Sequence, residues 1–119
     1  MALLSTGPID NSIVLGSRPT KIITVKIVNR NSIENTSVVI QGFILDVFRT
    51  IYVNELLDIA PNGVLTKNYF ADLDAFEFEF TTSETVEAEI GISVWGKQAS
   101  GQLVNAHRVV AWEKEGKVF

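Results

Sequence analysis

Few side chains in this sequence could do chemistry, and they are scattered. His107 is the one histidine, and no serine or acid stands at a spacing that would make it a general base or a metal ligand. It reads as an edge or surface histidine. Carboxylates gather between positions 72 and 89, as Asp72, Asp74, Glu77, Glu79, Glu84, Glu87 and Glu89, with no Lys or Arg among them. Hard cations want clustered oxygens, and Asp72-Leu73-Asp74 is where one would sit, but the spacing matches no calcium loop. Glu77 and Glu79 alternate with Phe76, Phe78 and Phe80, which predicts a strand with its phenylalanines inward and its glutamates in water.

A basic stretch stands opposite in character. Arg18, Lys21, Lys26 and Arg30 occur where no acid lies between Asp10 and Glu34. Set against Glu77, Glu79, Glu87 and Glu89 of another copy, they would fix orientation and register more than affinity. Phosphate-binding glycine loops, nucleophile elbows and metalloprotease motifs do not occur. Asn35-Thr36-Ser37 fits the glycosylation pattern, which short sequences often match by chance. The expectation is a protein without catalytic site, metal or cofactor.

Composition narrows the class. At 119 residues, with 46% hydrophobic and 20% charged residues, the chain is one globular domain able to bury a core. Without cysteine, disulfides and thiolate metal sites are excluded. The net charge of −4 argues against nucleic acid or an anionic membrane as main partner. No stretch is long and apolar enough to span a bilayer, and the N-terminus has no signal-peptide pattern.

The elements that would carry these residues are strands. Residues 21–30 alternate, with Ile23, Val25 and Ile27 on one face. Residues 36–48 are apolar on both faces, with a bulge or close approach expected at Gly42. Residues 50–60 favour strand over one helical turn through Tyr52, Val53 and Ile59. Pro61-Asn62-Gly63 predicts a tight turn closing a hairpin onto residues 64–71. Residues 75–81, 86–95 and 103–113 complete seven or eight strands, with a turn at 98–101. The spacing predicts an all-β sandwich, jelly roll or small barrel.

Residues 1–19 read differently, as an arm ahead of a body at 20–119. Leu3 and Leu4, Ile9, and Ile13, Val14 and Leu15 form aliphatic clusters separated by Gly7-Pro8, Asp10-Asn11-Ser12 and Gly16-Ser17-Arg18-Pro19. Glycine and proline keep such a segment from folding on itself. Its aliphatics need cover, and a sister molecule would supply it. Arm and acceptor would be different surfaces, so the contact is heterologous and yields a ring or an open filament.

The aliphatic start, the Gly-Pro punctuation and a body of predicted strands resemble the endospore appendage (Ena) subunits, which form pilus-like fibres on spores of the Bacillus cereus group. The likeness spans the chain in layout and rests on no sharp motif. It implies a jelly-roll body of about eight strands. It also implies subunits joined by sheet augmentation, and a connector that docks in subunits further along. A spore-surface location, an anchor protein and a tip protein are implied in the same way. By position, Leu3 and Leu4 match the start of the connector, and residues 16–19 its spacer. Better-known members carry connector cysteines; this chain has none. Two other readings of the residues stand beside this one. One is a phage- or capsid-like jelly roll. The other is a carbohydrate-binding sandwich stacking sugars on Trp95, Trp112 or Tyr69.

Overall fold

The computed structural model describes residues 2–82, 90–107 and 109–111. Ten strands run along them: β1 (Ala2–Ser5), β2 (Ile9–Asp10), β3 (Ile22–Asn29), β4 (Thr36–Leu45), β5 (Arg49–Ile59), β6 (Val64–Phe70), β7 (Ala75–Thr82), β8 (Ile90–Lys97), β9 (Leu103–His107) and β10 (Val110–Ala111). One sheet has the order β10-β1-β7-β4-β5, with β2 continuing along β7 after β1; the other has the order β6-β3-β8-β9. All pairings are antiparallel. The chain crosses between the sheets after β2, β3, β5, β6, β7 and β9, and stays within one sheet from β1 to β2 and in the β4–β5 and β8–β9 hairpins. That wrapping makes the sandwich a jelly roll.

Alternation places the core as the sequence leads one to expect. Ile23, Val25 and Ile27 of β3 are buried against Val38 and Ile40 of β4 and Phe76, Phe78 and Phe80 of β7. Phe78 lies at the centre, its ring centroid 5.5 Å from that of Tyr69, 6.1 Å from Tyr52 and 6.2 Å from Phe76. Gly42 faces this cluster. A Cβ there would stand 2.8 Å from the Phe78 ring and 3.1 Å from Val53 Cβ. The β4–β5 register shifts beside it, from Gly42↔Val53 to Phe43↔Ile51, so Tyr52 is the extra residue of a bulge.

Two expectations about connections need correction. Pro61-Asn62-Gly63 does make a tight turn, with Asn62 at φ +58° and the Gly63 N–H donating to Ala60 O at 2.8 Å. Proline then a left-handed residue fits a type II turn. It closes no hairpin, however: β5 pairs β4 and β6 pairs β3, so the turn carries the chain between sheets. Residues 103–113 likewise are not one strand, because β9 and β10 belong to opposite sheets. The predicted start of β8, residues 86–89, lies outside the described residues, as do Glu84, Glu87, Glu89 and Trp112.

Candidate self-association surfaces

The N-terminal segment lies on its own sandwich. Leu3 pairs with Thr81, Leu4 with Phe80 and Ser5 with Glu79, and further on Ile9 pairs with Phe76. Thr6 joins the two stretches, its N–H donating to Phe78 O at 3.0 Å while its Oγ1 accepts from Phe78 N at 3.1 Å. Leu4 and Ile9 pack against the core. Asn11 is buried, and its side chain bonds Thr20 N and O, Ala71 O and Leu73 O at 2.8–3.0 Å. No gap separates an arm at 1–19 from a body at 20–119: the arm's first ten residues supply two strands of the larger sheet. The physical reason is that β7, paired on its other side with β4, needs a partner along this edge, and a segment that turns Leu4 and Ile9 to the core supplies it.

The later aliphatics do project. Residues 14–17 form a two-residue turn, with Val14 and Ser17 exchanging backbone hydrogen bonds at 2.8 and 3.2 Å. Leu15 and Gly16 both have positive φ, +51° and +89°. Glycine and asparagine suit such positions; leucine is strained there. Leu15 is fully exposed, and Ile13 and Val14 are more than half exposed.

Four of the eight residues predicted to pair between copies, Arg18, Lys21, Glu77 and Glu79, are paired within one chain. Arg18 bonds Asp72 at 3.2 Å and Asp74 at 2.9 Å, and Lys21 bonds Asp72 at 3.3 Å. Burial raises the Asp72 pKa, but the hydrogen bonds from Lys21 and Arg18 outweigh it and hold the carboxyl below its usual range. These bonds also fill the place a calcium ion would take. Glu77 and Glu79 do not point to water; both are buried. Arg49 reaches back across the outer face, donating Nε to Glu77 at 3.3 Å and Nη2 to Glu79 at 2.6 Å, with its guanidinium 3.5 Å above the Phe43 ring. Ser5 Oγ donates to the other oxygen of Glu77 at 2.9 Å. Alternation gave their face correctly but not their cover, which comes from two other strands. Lys26 and Arg30 are exposed on the smaller sheet, along a shallow groove of about 330 Å³ with Val28, Val64 and Gly91.

Among the described residues each sheet ends, on one side of the sandwich, in a strand with no further strand beside it, β5 in one and β6 in the other. Tyr69 Oη donates to Glu55 at 2.6 Å, Lys67 Nζ meets Glu55 at 3.3 Å, and Tyr52 Oη donates to Phe70 O, so the two edges are tied together. The bond from Tyr69 holds the Glu55 pKa below its usual range. Burial pushes Tyr52 up to about 12; burial and then Glu55 push Tyr69 up further. With its ring on Phe78 and its hydroxyl on Glu55, Tyr69 is no platform for a sugar. Trp95 remains partly exposed on the smaller sheet.

His107 is half-buried at the end of β9, opposite Val94, and burial lowers its pKa. Its Nε2 has no hydrogen-bond partner among the described residues. Among those residues no three metal-ligating side chains come together.

No protein-family model and no curated protein matches the chain. Among solved structures it is similar to the Anabaena sensory rhodopsin transducer, with a TM-score of 0.51 and 14% identity over 83% of this chain and 91% of that one. At this identity the likeness shows the fold alone.

Proposed function

We propose that this chain is a self-assembling structural subunit of a pilus-like fibre, in which the N-terminal arm of one copy fills the β7 edge of the next. The observation that supports it is the nature of the arm's contacts. The bonds that anchor residues 2–11 to the rest of the fold go to residues 20, 71–82 and 110–111. A second copy presents the same acceptor. Exchange would therefore remake the same hydrogen bonds and recover the same burial of Leu4 and Ile9. The link is residues 12–19, which extended span at most about 27 Å. Its folded form holds Leu15 in a strained conformation that extension would relieve, and strained short hinges favour exchange.

Passed head to tail from copy to copy, such a contact propagates into a filament or closes into a ring, whereas reciprocal exchange would stop at a pair. Strand addition at open sheet edges would bind neighbours sideways. The spore surface as location, with an anchor and a tip protein as partners, rests on the likeness to the Ena subunits. The absence of cysteine makes such a fibre noncovalent throughout.

A cross-strand disulfide tests this directly. Leu3 and Thr81 are opposite each other in β1 and β7, close enough for a bridge. The variant Leu3→Cys with Thr81→Cys introduces the only two thiols of the chain. Exchanged arms give a ladder of covalent multimers on a denaturing gel without thiol. Cross-linked monomer alone, at every concentration, would refute arm exchange. Electron microscopy of the wild type separates fibres from the shells or rings of a capsid-like protein.

A further inference from the structure

Two loops leave the same end of the sandwich with apolar residues at their tips. Ile9, Phe76 and Ile44 lie side by side across β2, β7 and β4. Beyond Ile9 the chain runs to Ile13, Val14 and Leu15, and beyond Ile44 to Val47 and Phe48. The two exits are two strand spacings apart, about 10 Å. Leu15 is fully exposed, Val47 is 84% exposed and Phe48 78%. Both loops are tight. The second is closed by Asp46 N–H donating to Phe48 O at 3.1 Å. Tip positions of this kind favour Gly, Asn, Asp or Ser. Here they hold valine, phenylalanine and a leucine in left-handed backbone, choices that local physics opposes at two separate places.

From this we infer that the two tips form one docking surface, and that its occupant is a second copy of this chain, seated end to end. Five exposed side chains of this size offer on the order of 600 Å² per copy, close to the half share of a standard interface. Two copies placed about a two-fold axis would match apolar tip against apolar tip. A lipid surface fits less well. The cations nearest the tips, Arg18, Lys21 and Arg49, are paired with carboxylates of their own chain, and Asp10, Asp46 and Asp74 are exposed at the same end. An anionic headgroup would meet repulsion there. Val47 and Phe48 lie outside the arm and its link, so substitutions at these two positions probe the docking surface without touching arm exchange.

The test compares the wild type with the double variant Val47→Ser, Phe48→Ser by sedimentation equilibrium. Each is also run in the Leu3→Cys, Thr81→Cys background. Both side chains are exposed and serine suits a tip position, so the thermal midpoint should not fall, and an unchanged midpoint excludes unfolding as the cause. The expected result is end-to-end association weakened at least about tenfold, as loss of a central apolar anchor gives, with any covalent ladder unchanged. Equal association of variant and wild type overturns the proposal. So does binding of the wild type, but not the variant, to phosphatidylcholine–phosphatidylglycerol vesicles, which would assign the tips to lipid. A missing ladder refutes arm exchange alone and leaves the end-to-end contact standing.

Discussion

Tyr69 donates its phenol hydrogen bond to Glu55 at 2.6 Å across the open side of the sandwich, from the edge strand of one sheet to the edge strand of the other. Glu55 lies opposite Ile40 and Lys67 opposite Val25, both buried, so each charge points inward from its edge. Inward charges on edge strands are a known defence against unwanted strand pairing. They are tolerable here because they meet each other at 3.3 Å and stay in touch with water.

The first prediction follows from that defence. Replacing both by valine, Glu55→Val with Lys67→Val, removes a partly exposed ion pair worth about 0–1 kcal/mol and the Tyr69 hydrogen bond, worth about 1.5–3 kcal/mol, against which the inward valines add about 1.5–3 kcal/mol each where fully covered. Stability should change little, while edge-to-edge association through β5 and β6 should rise. Light scattering against concentration, beside a denaturant titration, checks both. A variant that scatters no more than the wild type would show that the two charges guard nothing.

The same cluster sets an alkaline limit. Tyr52 and Tyr69 both titrate higher when folded than when unfolded, so folding favours their protonated forms. Their contribution is complete below the unfolded tyrosine value, about 10, and is lost as pH climbs above it toward the folded values. Denaturant midpoints should therefore hold up to about pH 10 and then fall. The variant Tyr69→Phe should show a shallower decline. An unchanged slope in that variant would count against the assignment.

Asn11 and Asn29 give a third prediction. Each is buried, and each bonds three carbonyls: Thr20, Ala71 and Leu73 for Asn11, and Glu34, Ile59 and Ala60 for Asn29. Substitution by alanine leaves Ala60 O and Ala71 O their turn bonds from Gly63 N and Leu73 N but takes the amide donor from the other carbonyls and the amide acceptor from Thr20 N and Asn31 N, at about 1–3 kcal/mol for a buried group. Asn29→Ala and Asn11→Ala should both lower the free energy of unfolding by about 2–3 kcal/mol. Only Asn11→Ala should also speed the appearance of multimers, since Asn11 anchors the arm. Equal multimer rates in the two variants would separate the anchor from exchange.

Much of this was written in the sequence, and the reason is periodicity. Ile23, Val25 and Ile27, or Phe76, Phe78 and Phe80, fall every second residue, and a two-residue repeat has one way to bury its apolar face. Gly42 and Pro61-Asn62-Gly63 were readable because proline and glycine carry their backbone geometry with them. What the sequence could not supply was partnership between distant positions. Nothing near Glu77 announces Arg49, and nothing in the Pro61-Asn62-Gly63 turn says whether it joins two strands of one sheet or passes between sheets. The N-terminal segment shows this most plainly. Its aliphatics demanded cover, as composition alone requires, but only the tertiary structure presents the open edge of β7 that pairs with Leu3, Leu4 and Ile9 and leaves Ile13, Val14 and Leu15 outside. Local chemistry fixes what each residue needs; the fold decides which distant residue meets that need.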